Sequence, residues 1–147
     1  RAVFGGKIAL DPASASDNPT DAEVFFTHNG LEQSWEGHRN IFCNPPWRKA
    51  GMPVVWWMAP LWHFAIDHPL VDIITVCPAS TNATWFQDFV APAACHCLPR
   101  GRIAYDAPPG FVNGNAPSFD TCVSYWGPNP KAFATAFQHL GKIAVLR

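Results

Sequence analysis

A chain of 147 residues and 16.2 kDa is the size of one domain, with no linker that would divide it, and folding at that length buries roughly two thirds of the accessible surface. A formal net charge of -1 and a pI near 6.6 exclude a global attraction to nucleic acid, so any polyanion would have to be held by a local basic patch. Five cysteines make an odd number, lie mostly in apolar segments and have no secretory leader before them, so reduced, intracellular thiols are the simpler expectation.

The chain opens on Arg1 and is apolar by Val3 and Phe4, so we expect it to continue an upstream sequence. Apolar runs at residues 7–10, 40–43 and 71–77 each end in polar or Gly/Pro turns. Their near-continuous apolarity, in place of alternation, predicts parallel strands buried on both faces. Between them, residues 52–66 (MPVVWWMAPLWHFAI) number fifteen and contain two prolines. That falls short of the roughly 20 residues a spanning helix needs, so the stretch predicts a buried helix, interrupted or kinked at Pro60. Hydrophobicity on all sides sends Trp56, Trp57 and Trp62, with Trp85 beyond, to a core or a subunit contact. Further helices are expected at residues 81–90, capped by Thr81 or Asn82, and at residues 130–140, with Pro130 in the first turn. Later strands are expected at 94–98, 102–105, 119–125 and 142–146, with antiparallel pairing among the last. Residues 106–118 form a Pro-, Gly- and Asn-rich loop long enough to be functional. Strand and helix alternate, which gives an α/β domain with helices on both sheet faces.

Ligands of an open α/β sheet collect beyond the carboxyl ends of its strands. Here three such ends are unusual: LDPAS (residues 10–14), NPPW (44–47) and PAS (78–80). In LDPAS a carboxylate precedes small residues that let backbone amides approach a ligand, although Asp-Pro also favours a plain Asx turn. In NPPW each proline fixes its own φ and extends the residue before it, so Asn44 and Pro45 are both held stiffly. The Asn44 amide oxygen and a backbone carbonyl can then accept from one planar NH2 group, while the flat Trp47 stacks on the ring that carries it. A ring-conjugated amine is a poor nucleophile, and two fixed acceptors disperse the positive charge that develops on its nitrogen during attack.

NPPW resembles the Asn/Asp-Pro-Pro-aromatic motif of amino-methyltransferases that use S-adenosylmethionine. With FGGKIALDPAS (4–14), FFTHNGLEQSWEG (25–37), IFCNPPW (41–47), CPASTNATWF (77–86) and GRIAY (101–105) in order, the chain resembles the phage-type, Dam-related DNA adenine methyltransferases over residues 4–105. The resemblance implies a compact, abbreviated Rossmann-like sheet, since only 32 residues separate Asp11 from Asn44. It also implies an S-adenosylmethionine site bordered by Asp11, Pro12, Ala13 and Ser14. Asn44 and the Pro45 carbonyl would hold the adenine amine, Pro46 would shape the turn, and Trp47, in place of the commoner Tyr or Phe, would stack on a flipped base. The acidic residue for the cofactor ribose is left open among Asp17, Asp21 and Glu23. Location in the cytoplasm of a bacterial host of a phage or prophage follows from the same likeness.

Arg48, Lys49 and Arg102, the last in an Arg100-Gly101-Arg102 run, are candidates for phosphates flanking the target base. Cys95, His96 and Cys97 are not expected to bind a metal, because strand alternation sends His96 to the face opposite the two thiols. Two alternatives stay open: transfer to an RNA base or a protein glutamine amide, since the motif recognises a planar NH2 and not its owner, and a non-catalytic DNA-binding remnant. The recognition sequence and oligomeric state are not encoded in any recognisable motif.

Overall fold

The computed structural model describes residues 1–49, 52–104 and 119–145, and of Arg48, Lys49 and Met52 the backbone alone. Its centre is a seven-stranded mixed sheet. In chain order the strands are β1 (Leu10–Asp11), β2 (Val24–Phe25), β3 (Asn40–Cys43), β6 (Asp72–Pro78), β7 (Cys95–Pro99), β8 (Thr121–Trp126) and β9 (Gly141–Val145), arranged as β2-β1-β3-β6-β8-β7-β9. The first four neighbours run parallel, and β8 and β9 run antiparallel to the strands they join. Two further short strands, β4 (Arg48–Lys49) and β5 (Met52–Pro53), pair with each other directly after NPPW. The helices are α1 (Val55–Asp67) and α2 (Pro130–Phe137), with a π-helical turn at Phe86–Val90.

Alternation along β6 divides the core. Ile73 and Cys77 join Leu10, Ile41, Met58 and Leu61 in one cluster, whereas Ile74 and Val76 join Cys95, Cys97, Tyr125 and Phe133 in another. A strand whose two sides are both covered is nearly continuous in apolar residues, which is why DIITVCP carries only Asp72 at its start and Thr75 within it as polar side chains. The five cysteines are free and buried. Burial pushes their thiols up, so they behave as small core residues.

Several expectations shift. The predicted helix at 52–66 starts only at Val55, because Met52 and Pro53 are taken by pairing with Arg48 and Lys49. It then runs through Pro60 without interruption. Trp57 is buried, but Trp56 lies on the outer side at 53 % exposure, which removes the core half of its expected core-or-subunit-contact assignment. Residues 81–90 form turns and then the π-helical turn, closed by the Ala91 amide on the Phe86 carbonyl at 2.7 Å, so neither Thr81 nor Asn82 caps a helix. The helix expected at 130–140 stops at Phe137. Residues 102–104 are irregular, not a strand, and the loop at 106–118 lies outside the described residues. No helix among the described residues is long and apolar enough to cross a membrane.

Candidate active site

The chain leaves β1 to form β2 on one side and returns to form β3 on the other, so strand order reverses at β1. That reversal opens a crevice at the carboxyl ends of the strands. Leu10 pairs with Ile41 in parallel, and counting onward brings the loop after Asp11 level with Cys43 and Asn44. Cys43 pairs with Thr75, so the end of β6, with Ala79 and Ser80 beyond it, opens at the same edge. All three polar strand ends therefore share one edge of the sheet.

The Asp11 carboxylate is 3 % exposed and turned inward. Its Oδ2 accepts from the Thr20 hydroxyl at 2.7 Å and its Oδ1 from the Ala13 amide at 3.1 Å. Burial raises its pKa, while these two donors pull the other way. Asp11 thus shapes its own loop, as the Asx-turn alternative expects. Phe26 fixes the loop from the outside: its amide donates to the Asp11 carbonyl at 3.0 Å and its carbonyl accepts from the Ser14 amide at 2.9 Å. The Ser14 hydroxyl is buried and has no hydrogen-bond partner, though it pulls weakly on the Asp11 carboxylate. Buried orphan hydroxyls are uncommon and costly, so a polar group seated on this loop would satisfy one. Gly30 supports the same loop from below. A Cβ there would stand 1.8 Å from the Pro12 carbonyl oxygen, and the Gly30 carbonyl accepts from the Trp35 indole at 2.9 Å.

At the tip of β3 the Cys43 carbonyl is occupied by the Thr75 hydroxyl at 2.9 Å. Upstream the buried Asn40 stitches β3 to β1, accepting from the Ala9 amide at 2.7 Å. Asn44 then emerges half-buried, Pro45 is buried and Pro46 exposed. Among the described residues nothing donates to the Asn44 side chain or to the Pro45 carbonyl, so both acceptors are free of described donors. The Trp47 indole donates to the Val76 carbonyl at 3.2 Å and its ring meets Phe119 edge-on at 4.9 Å, which fixes the plane of the ring beside them.

The acidic candidates are not gathered here. Glu23 precedes β2 and lies at the opposite edge, paired with Arg39 at 3.4 Å. Asp21 pairs with Arg1 at 3.2 Å, and Asp17 is exposed on the β1–β2 loop. The carboxyl end of β2 carries Phe26, Thr27 and His28 instead. Arg102 stands at the site edge in a loose 3.8 Å pair with Asp120, whereas the side chains of Arg48 and Lys49 lie outside the described residues. Cys95 and Cys97 lie in the cluster with Phe133, and His96 turns to Ser124 and the Ala91 carbonyl on the other face. Sequence reasoning missed Thr20, Asn40, Thr75 and Gly30. The only signals for them were a polar residue inside or beside an apolar run and a glycine in NGL.

No curated protein and no solved structure matches the chain. A family model described as DNA N-6-adenine-methyltransferase (Dam) matches residues 1–121. The match spans both the DPAS loop and NPPW, and on it the chain belongs to the Dam family of DNA N-6-adenine methyltransferases.

Proposed function

We propose that this chain is a single catalytic domain that methylates the exocyclic amine of adenine in DNA, using S-adenosylmethionine. What carries the proposal is the meeting, at the reversal of strand order, of a loop with an orphaned Ser14 hydroxyl and a strand tip with two free acceptors. The sheet is taken as an abbreviated Rossmann-like one with helices on both faces, supported by α1 packing with one core cluster and α2 with the other.

The residues present fit the cofactor in part. Ser14 offers a buried hydroxyl, and Pro12 and Ala13 form a wall without bulk. Asp11 holds that wall in shape and does not itself face the ligand. When bound, S-adenosylmethionine would supply an electrophilic methyl group for direct in-line transfer to the amine, with S-adenosylhomocysteine as the leaving group and the amine's proton lost to solvent. Asn44 Oδ1 and the Pro45 carbonyl hold the amine and favour the charge that grows on it. Pro45 and Pro46 keep those acceptors from reorganising. Trp47 stacks on the flipped base and offsets some of its unstacking cost. The same reading takes in a phage or prophage origin, restriction-modification or a related DNA-marking role, and a bacterial cytoplasm.

Incubation with methyl-labelled S-adenosylmethionine and unmethylated duplex is expected to label adenine, with Asn44→Ala losing the label while folding stays intact. Label absent from every DNA, RNA and protein acceptor offered would overturn the enzymatic proposal. One observation favours the non-catalytic remnant: β2 has two residues and no carboxylate at its carboxyl end. Calorimetry separates the two, since a remnant binds DNA in a salt-dependent way and takes up no S-adenosylmethionine.

A further inference from the structure

Charge is unevenly divided along the chain. Residues 1–90 carry five Lys/Arg against nine Asp/Glu, whereas residues 91–147 carry five against two. The near-zero total hides a basic carboxyl-terminal part. Its most defined feature is a notch of about 590 Å³ at the end of β7 and the start of β9, lined by Arg100, His139 and Lys142 among others.

Backbone geometry fixes this notch. The Arg100 amide donates to the Leu140 carbonyl at 2.8 Å, and Leu98 pairs with Lys142 and Pro99 with Gly141. Gly141 permits that approach, because a Cβ there would stand 2.0 Å from the Leu98 carbonyl oxygen. The end of α2 does not oppose an anion strongly: the Phe137 carbonyl already accepts from the Leu140 amide and from the Cys97 thiol. Arg100, His139 and Lys142 are exposed, and among the described residues none of their side chains is paired with a carboxylate. Three cationic or hydrogen-donating groups thus share one concavity with no counter-charge among the described residues.

Its position gives it a use. β7 runs parallel to β6, so the notch opens at the same edge as NPPW. It lies three to four strands from β3 in the sheet order, which at about 4.8 Å per strand is roughly 14 to 19 Å. Successive base pairs rise about 3.4 Å, so that span equals roughly four to six base pairs. We propose that the Arg100–His139–Lys142 notch holds the phosphate backbone of duplex DNA on one flank of the target base, with Arg102 between notch and site. The proposal rests on DNA being the substrate.

The test is fluorescence anisotropy of a mixed-sequence 24-base-pair duplex (~24, long enough to cover both flanks) against salt. For wild type, log K falls with log salt; in Arg100→Ala/Lys142→Ala the slope is expected to be shallower by about two, so that its deficit narrows roughly tenfold between ~50 and ~200 mM salt. Lys131→Ala, a charge removed from the start of α2 at the opposite edge, is expected to leave the slope unchanged. S-adenosylmethionine affinity is expected to be equal in all three proteins. A double variant with the wild-type slope, or a Lys131→Ala effect as large per charge, would overturn the notch while leaving DNA methylation standing. Wild type that binds S-adenosylmethionine but no duplex even at low salt would overturn the DNA substrate itself, and the notch with it.

Discussion

Thr20 and Asp11 form the tightest polar pair under the candidate cofactor loop, at 2.7 Å with the carboxylate almost wholly buried. Thr20→Val keeps the shape and removes the donor, and a buried carboxylate left short of one donor costs about 1–3 kcal/mol. The sign of the pH effect follows from the raised pKa of Asp11. The folded state takes up this proton before the unfolded state does, so falling pH relieves the burial penalty. Urea denaturation is therefore expected to show Thr20→Val destabilised at neutral pH, with the gap to wild type narrowing as pH falls through the acidic range. A gap that widens in acid would mean that Asp11 is not the group relieved. Asn44 behaves differently, since its amide supports no described neighbour. Asn44→Ala is expected to change stability by less than about 0.5 kcal/mol while removing activity, a split that circular-dichroism melting and the methylation assay read together.

Two contacts decide how whole elements sit. The first is the approach of the NGL turn to the DPAS loop at Gly30, where an added methyl group has only the Pro12 backbone and the Trp57 ring to displace. Gly30→Ala must push the turn away from the loop, and a forced rearrangement of packed backbone costs about 1–3 kcal/mol or more. Weaker S-adenosylmethionine binding by calorimetry, beyond any loss of melting temperature, is the expected outcome; unchanged binding would detach this turn from the site. The second is Tyr125, whose hydroxyl donates to the Asp72 carboxylate and accepts from the Asn129 amide at 2.8 Å. Burial and the nearby Asp72 push its pKa far up, so it stays a neutral donor tying β6 and β8 to the start of α2. Tyr125→Phe leaves both partners short, and thermal unfolding is expected to report a loss of about 1–3 kcal/mol.

At the scale of the molecule, the sheet was legible where burial on both faces gives a nearly continuous apolar run, as in NIFC and DIITVCP. It was not legible at β2, where two exposed residues, Val24 and Phe25, pair only because β1 lies beside them. The same limit hid the position of the acids. Glu23 is a reasonable ribose partner by spacing, yet the direction of β2 sends it to the far edge, and direction is a property of the assembled sheet. NPPW was readable because prolines act locally on their neighbours, whereas Thr75 and Asn40 act across strands. Another group that acts across strands is His96. It lies on β7 opposite Ser124 of β8, with Nδ1 2.9 Å from the Ser124 hydroxyl and Nε2 3.3 Å from the Ala91 carbonyl. Burial lowers its pKa, so the folded protein keeps the ring neutral while the unfolded chain takes up a proton near the ordinary value of about 6.5. Stability from this group is then complete above that value and is lost as pH falls below it, because the unfolded state binds more protons. The urea midpoint of wild type is expected to decline from about pH 6.5 downward. His96→Leu should start from a lower midpoint, since Ser124 keeps only the weaker contact with the Cys122 thiol and the Ala91 carbonyl loses its ring donor, and should show a flatter profile across the same window. An equal slope in both proteins would place the acid sensitivity elsewhere in the fold.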